Sequence, residues 1–303
     1  MRAYFALLLW CTALLATSQT QAALQVVTTT QDLAAIAKAV GGAHVEVHSL
    51  TPGTRDPHFA QAKPSMIRKV YDADLLLLIG ADMEVGWLPA LLRSSRNRQV
   101  LPGNPGYLDL STSVSLLGKP AGPVTRDMGD VHAQGNPHYW LDPDNGRLMA
   151  QAIAKRLISL DPDNANDYQR NLTIFEQRLT NKIREWQTAL ALLKGDKVIA
   201  YHTSLVYLAR AFNFEIVDEV EPKPGIAPSA AHLNRLIKHI NDDNIKLLIM
   251  EPYYEQRSAR FLQDKTGIRI ATVPQSVGAN PGINDYIQLF DGVVSALKQA
   301  GAL

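Results

Sequence analysis

The 303-residue chain contains a single cysteine, Cys11, inside an N-terminal apolar stretch. Arg2, the apolar residues 3–16 and the small side chains around Thr20-Gln21-Ala22 are typical of a secretory signal peptide, which predicts cleavage after residue 22. The bulky Trp10 directly before Cys11 disfavours lipid modification of that cysteine. The predicted mature chain therefore lacks cysteine, which excludes disulfides and thiolate metal ligands.

The chain also lacks an excess of charge of either sign. It has 30 Lys and Arg against 29 Asp and Glu, and loss of Arg2 with the signal peptide leaves the mature chain formally neutral. This excludes the broad basic surface that nucleic acids or lipid headgroups require. The N-terminal apolar run is too short for a transmembrane helix.

Strand-like and helix-like segments alternate in two blocks, up to about residue 110 and again from residue 197 onwards. The apolar run of residues 75–79 is typical of a strand buried on both faces. Such alternation predicts an α/β fold with a parallel sheet in each block. Residues 111–135 are rich in Ser, Gly and Pro and predict a long loop.

One long amphipathic helix is predicted over residues 165–193, between the two blocks. Its apolar side chains recur every three or four residues and form one stripe: Leu172, Phe175, Leu179, Ile183, Trp186 and Leu190. The sequence lacks the Gly/Ser composition of a flexible linker, so the helix is predicted to be a rigid connector. We therefore expect a signal peptide (1–22), an N-terminal lobe (23–160), the connecting helix (161–194) and a C-terminal lobe (195–303).

Three histidines occupy short, stiff contexts that are far apart in the sequence. His58 and His138 each follow a proline, which restricts the approaching backbone, and His202 follows an apolar strand candidate. All three are predicted at strand ends that face the cleft between the lobes, where open α/β sheets bind ligands. Three imidazoles with an open fourth position are a familiar zinc arrangement, so the sequence predicts a metal site.

Several short motifs along the mature chain are similar to those of the periplasmic metal-binding proteins of zinc and manganese ABC importers, the TroA-like or cluster A-I solute-binding family. The matching stretches are Pro52-Gly53, Asp56-Pro57-His58, Pro64-Ser65, Ala73-Asp74-Leu75, Asn136-Pro137-His138-Tyr139-Trp140-Leu141-Asp142-Pro143, Tyr201-His202, Tyr207-Leu208, Pro228-Ser229 and Glu251-Pro252. The resemblance implies two α/β lobes joined by a long helix, a metal at the lobe interface, and delivery to a membrane permease.

The resemblance places His58, His138 and His202 on the family's first three ligand positions. Manganese-selective members usually carry Glu at the third position, so His202 favours Zn²⁺ over Mn²⁺. The chemistry agrees, since imidazole suits zinc and manganese prefers oxygen. The family's fourth ligand is usually Asp, but Gln275 stands there. The fourth donor is therefore Gln275, a water or a nearby carboxylate such as Asp285. The less anionic site is expected to bind metal more weakly or to favour an added water or anion.

Other polar residues are interpreted as supporting or unrelated groups. His132, in the long loop, either passes metal inward or is an ordinary solvated residue, and the second interpretation is favoured. Glu251 and Asp142 are candidates to accept the second N–H of a ligand imidazole, with helix capping or loop hydrogen bonding as the alternative. The remaining histidines of the mature chain lack a ligand-like context: His44, His48, His232 and His239.

The favoured function is a soluble, monomeric periplasmic protein, not an enzyme, that captures zinc and delivers it to an ABC permease, with a metallochaperone as an optional second partner. A manganese or other divalent-metal binder of the same family is one alternative. A secreted zinc hydrolase is another, although no carboxylate is placed beside a ligand as in HExxH. A structural or adhesive module with incidental metal binding is the third.

Overall fold

The computed structural model describes residues 22–125 and 128–301, and the predicted signal peptide lies outside them apart from Ala22. The first sheet consists of β1 (Leu24–Thr28), β2 (Val45–Ser49), β3 (Leu75–Leu78) and β4 (Tyr107–Asp109), with helices α1 (Gln31–Gly41), α2 (Pro64–Tyr71), α3 (Leu88–Ser95) and α4 (Pro143–Leu160). Helix α5 (Ala165–Ala189) follows. The second sheet consists of β5 (Lys197–Ala200), β6 (Glu215–Glu219), β7 (Leu247–Met250) and β8 (Arg269–Thr272), with helices α6 (Val206–Phe212), α7 (Ala230–Asp242), α8 (Gln256–Thr266) and α9 (Tyr286–Gln299).

The two sheets have the same topology. Their strand orders are β2-β1-β3-β4 and β6-β5-β7-β8, and every pairing is parallel. All residues of β3 and β7 are buried, as expected for apolar strands that are covered on both faces. The predicted α/β fold with two parallel sheets is confirmed. In each sheet the carboxyl ends of the strands lie along one edge, and the candidate site is built there.

Helix α5 connects the two sheets and buries one face along its length. The buried residues are Tyr168, Leu172, Phe175, Leu179, Ile183 and Trp186. At 1.5 Å per residue the helix is about 37 Å long. It packs against α1, α4 and α9. The α-helix ends at Ala189, and a short 3-10 turn (Ala191–Leu193) completes the span that was predicted as helix.

The core is shared between the lobes. A single buried apolar cluster includes Val26 and Leu77 of the first sheet, Trp186 of α5, and Val198 and Ile249 of the second sheet. Because protein cores are close-packed, this shared cluster resists separation of the lobes. The structure thus gives a physical basis for the rigid connection that the helix composition predicts.

A polar contact also joins the lobes close to the candidate site. Asp32, in the first turn of α1, is fully buried and accepts hydrogen bonds from Val277 N (2.9 Å) and Ser276 Oγ (2.6 Å) of the second lobe. Burial raises the pKa of Asp32 to about 6, although both hydrogen bonds oppose the shift. Nearby, a Cβ added to Gly53 would lie 1.9 Å from Val277 O. The motif Pro52-Gly53 therefore has a steric reason: only glycine allows this approach.

The long loop of the first lobe is irregular, as predicted. After a 3-10 turn at Leu110–Ser113, the described residues up to His138 form no α-helix or strand. The loop is nevertheless attached to the second lobe, because Asp130 N donates to Pro224 O (3.0 Å). Separately, none of the helices within residues 22–125 and 128–301 combines the length and apolar character that a membrane span requires.

Candidate metal centre

The three histidines predicted as ligands lie together in the cleft. His58 is in a 3-10 turn after β2, His138 precedes the 3-10 turn that leads into α4, and His202 follows β5 of the second lobe. Their ring centroids are separated by 5.1 Å (His58–His138), 5.6 Å (His138–His202) and 6.4 Å (His58–His202). Residues up to 144 positions apart in the sequence are therefore neighbours across the lobe interface.

Each of these imidazoles is held at Nδ1 by an oxygen acceptor. The acceptors are Asp56 Oδ1 for His58 (2.7 Å) and Asn136 Oδ1 for His138 (3.0 Å). For His202 the acceptor is Glu221 Oε2 (2.7 Å). Since an oxygen acceptor requires a proton on Nδ1, all three rings keep the Nε2 lone pair available for a metal.

Two of these arrangements are the same local structure. In both Asp56-Pro57-His58 and Asn136-Pro137-His138, the side chain two residues before the histidine also accepts from the histidine backbone N–H, at 2.9 and 3.0 Å. Proline between them fixes φ and so helps to hold the short acceptor beside the Nδ1 edge of the ring. The repeated spacing was visible in the sequence, but the role of Asp56 and Asn136 was missed there.

Glu221 was also missed, and the predicted supporting residues have other partners. Glu251 accepts from Ser204 Oγ rather than from an imidazole, and its Oε2 is buried without a hydrogen-bond partner among the described residues. Asp142 caps α4 through Asp144 N (2.8 Å) and pairs with Arg210 (2.7 Å). The capping alternative is therefore correct for Asp142. No local motif links His202 to Glu221, 19 residues later.

His132 is part of the cluster, so the expectation that it is an ordinary solvated residue was wrong. Its Nε2 lies 3.1 Å from His58 Nε2, with ring centroids 5.1 Å apart, and the residue is half-buried. Because His58 carries its proton on Nδ1, the proton between the two Nε2 atoms belongs to His132. The Asp130–Pro224 backbone hydrogen bond fixes the loop that carries this residue.

The electrostatic environment differs between the two sides of the cluster: it favours neutral imidazoles at His138 and His132, and positive charge at His202. Burial lowers the pKa of His138 well below its usual range. It also lowers the pKa of His132 to about 4, assisted by His58 and His202. Burial acts in the same sense on His202, but the Glu221 hydrogen bond and the charges of Glu251, Glu221 and Asp56 outweigh it and raise the pKa of His202. A cation is thus favoured on the His202 side of the cluster.

The pKa values of Asp56 and Glu251 shift in opposite directions. Burial favours the protonated acid in both, and it raises the pKa of Glu251 to about 7. In Asp56 the hydrogen bonds and charge of His58 outweigh burial and lower the pKa, so this carboxylate is ionised at neutral pH. The site therefore has a fixed negative charge directly behind His58.

Gln275 lies beside Pro57 and Trp140, which are close in sequence to His58 and His138, and Asp285 has a different role. The buried Gln275 lines a very small cavity with Pro57, Trp140 and Tyr253, and its Nε2 has no hydrogen-bond partner among the described residues. Its backbone oxygen accepts from Trp140 Nε1 (2.9 Å). The Asp285 side chain caps α9 by accepting from Gln288 N (2.8 Å).

The other histidines lie outside the cluster and have partners of their own. His44 contacts Asp167, His48 contacts Glu46, His232 contacts the backbone oxygen of Glu219, and His239 contacts Asp218. Across the described ranges 22–125 and 128–301, no three His, Cys, Asp or Glu side chains are already set in an arrangement that could hold a metal ion. The backbone brings the imidazoles together, whereas the final direction of each Nε2 depends on side-chain torsions.

A family model for ZnuA, the periplasmic component A of a zinc-uptake complex, matches residues 26–300. The chain belongs to this family. The predicted class, a metal-binding protein of a zinc or manganese ABC importer, is thereby confirmed. The family consists of substrate-binding proteins rather than enzymes.

Individual relatives are similar over most of their length. Metal ABC transporter substrate-binding lipoprotein SsaB of Streptococcus sanguinis and manganese ABC transporter substrate-binding lipoprotein PsaA of Streptococcus pneumoniae are each 26% identical over 258 residues, covering 82% of this chain and 78% of the relative. A crystal structure of ZnuA is 26% identical with a TM-score of 0.75, covering 92% of this chain and 98% of that one. A zinc-bound ZnuA deletion mutant has a TM-score of 0.76 at the same identity and coverage.

Proposed function

We propose that this protein captures zinc in the periplasm and delivers it to the membrane permease of an ABC importer. The observation that supports zinc best is the set of three imidazoles whose Nδ1 atoms contact oxygen acceptors, which leaves Nε2 as the donor atom for a metal. Neutral imidazole suits zinc, whereas manganese prefers oxygen donors. The proposal extends the family assignment, because the relatives include proteins named for manganese.

The spacing of the cluster supports direct coordination by His58, His138 and His202. In a tetrahedral site with Zn–N bonds of about 2.0–2.1 Å, the ligand nitrogens are about 3.4 Å apart. The ring centroids, 5.1 to 6.4 Å apart, are close enough for their Nε2 atoms to reach that spacing by rotation of the side chains.

We assign the fourth donor to His132 rather than to Gln275. The His132 Nε2 already lies 3.1 Å from His58 Nε2, and a zinc ion bound between them would replace the proton that His132 now donates. An imidazole is also a stronger donor to zinc than a neutral amide oxygen. His132 is half-buried and lies on a loop, so it can move to admit the ion and to release it.

Delivery to a permease follows from the family assignment, and we further expect the protein to act as a monomer. Removal of the signal peptide would release it into the periplasm. A metallochaperone that loads the site is compatible with the half-buried position of His132. The near-zero net charge argues against a nucleic-acid partner.

The proposal is tested by competition titration of the purified mature protein with zinc and manganese, for the wild type, His132→Ala and Gln275→Ala. We expect submicromolar zinc binding and at least about tenfold weaker manganese binding, by the preference of nitrogen donors. His132→Ala should weaken zinc binding at least about tenfold, because loss of a residue that only hydrogen-bonds to a metal ligand already lowers metal affinity by that factor. Gln275→Ala should change it less than about threefold.

Four outcomes would alter the proposal in defined ways. A stronger effect of Gln275→Ala than of His132→Ala would assign the fourth position to the amide, and no effect of either would assign it to water. Tighter binding of manganese than of zinc would contradict zinc as the transported ion. Turnover of ester or peptide substrates by the zinc-loaded protein would favour a hydrolase instead.

A further inference from the structure

The acceptors behind the three ligand imidazoles are not equivalent, because two are carboxylates and one is an amide. We propose that Asp56 and Glu221 are positioning residues that supply, one hydrogen bond behind the ligand imidazoles, the negative charge that an Asp in the fourth ligand position would otherwise provide. The inference rests on the proposed function. It concerns where the compensating charge lies, not whether metal binds.

The first support is geometric. Asp56 Oδ1 and Glu221 Oε2 each lie 2.7 Å from the Nδ1 of their histidine, whereas the amide of Asn136 lies at 3.0 Å. Hydrogen bonds to ionised acceptors are shorter and stronger than those to neutral ones. A carboxylate at this position fixes the tautomer and makes Nε2 a more basic, stronger donor.

The second support is burial. The side chains of Asp56 and Glu221 are only 15% and 9% exposed, so water screens their charges little. A divalent cation held by neutral imidazoles would otherwise be an uncompensated buried charge, which is costly. Two carboxylates at the back of the rings offset the two charges of the ion. The weaker binding expected from Gln275 at the fourth position therefore does not follow.

The third support is that Glu221 is held in place independently of the metal. Its Oε2 also accepts from Gly225 N (2.8 Å), and Gly225 has a φ of +76° that favours glycine. The neighbouring Pro224 O accepts from Asp130 N of the loop that carries His132. Glu221 thus connects His202 with the loop that carries His132.

Two histidine motifs of the chain allow a direct comparison of a charged and a neutral acceptor. Asp56-Pro57-His58 and Asn136-Pro137-His138 have the same backbone hydrogen bonds and differ at the acceptor by a charge. Asp56→Asn should convert the first into the second, and Asn136→Asp should do the reverse. Because an amide oxygen can still accept from Nδ1, as Asn136 shows, these exchanges change charge while retaining an acceptor.

The experiment is competition titration with zinc for Asp56→Asn, Glu221→Gln, the double variant and Asn136→Asp. We expect about tenfold weaker binding for each single loss of charge, about 100-fold for the double variant, and about tenfold tighter binding for Asn136→Asp, within the range known for ligand partners. Asp218→Asn is the matched control, because Asp218 makes the same contact with His239 (3.0 Å) away from the cluster. It should leave zinc affinity unchanged.

A second measurement distinguishes the effect of the lost charge from a change of imidazole tautomer. Long-range ¹H–¹⁵N spectra of the metal-free variants should still show the proton of His58 and His202 on Nδ1, while zinc affinity falls. Wild-type zinc affinity in both Asp56→Asn and Glu221→Gln, or weaker binding by Asn136→Asp, would overturn the inference. Failure of the wild type to bind zinc would instead overturn the proposed function, so the two failures are distinguishable.

Discussion

Replacing His138 with alanine should weaken zinc binding by more than about 100-fold. Losing a hydrogen-bond partner of a ligand already costs about 10- to 100-fold in affinity, so losing the ligand itself should cost more. His138 is the most buried of the three predicted ligands, at 3% exposure, and lies against the Trp140 ring (5.3 Å between centroids). Water therefore cannot easily take its place.

Isothermal titration by competition with a chelator of known affinity measures this effect. His239→Ala is the control, because His239, on α7, pairs with Asp218 of β6, outside the cluster. It should bind zinc like the wild type. Circular dichroism of the metal-free variants checks that the fold is retained. An affinity for zinc in His138→Ala within threefold of the wild type would remove His138 from the site.

Zinc should raise the thermal stability of the protein strongly, and a chelator should reverse the effect. A ligand that binds only the folded state at 1,000 times its Kd adds about 4.1 kcal/mol to the free energy of unfolding. For a chain of this size that corresponds to a rise in Tm of roughly 10 °C. The ion should stabilise the folded state in particular because its proposed ligands come from both lobes.

Differential scanning calorimetry with and without zinc measures the shift, and His138→Ala should lose most of it. The same concentration of manganese should raise Tm much less, since it gains little from nitrogen donors. A Tm that zinc leaves unchanged, in protein shown to be metal-free at the start, would mean that the cluster does not bind the ion in the folded state.

The elements that position the site follow from local sequence patterns. The four-leucine strand β3 has no polar face, so it is expected in the centre of a parallel sheet. The apolar stripe of α5 determines which face of this helix packs against the core. The predicted convergence of His58, His138 and His202 depended on strand ends of two lobes that face one cleft. These features appear in the sequence as hydrophobic periodicity or as prolines next to the histidines, and both can be recognised in a single sequence.

The contacts that complete the site depend on tertiary structure and left no such signal. Glu221 reaches His202 only because β6 lies beside β5, and His132 reaches His58 only because its loop pairs with Pro224. Asp56 and Asn136 are the exception: each stands two residues before a histidine, and that repeated spacing could have identified both. Glu251 resembled a supporting residue in the sequence, yet in the structure it contacts Ser204.

The central claim, that imidazole nitrogens from both lobes bind one zinc ion, is tested most directly by X-ray absorption at the zinc edge of the stoichiometric complex. We predict a first shell of three to four nitrogen donors at about 2.0 Å. Multiple scattering from at least three imidazole rings should accompany it, and one ring fewer should be seen in His138→Ala. A shell dominated by oxygen, with scattering from one imidazole or none, would contradict the account.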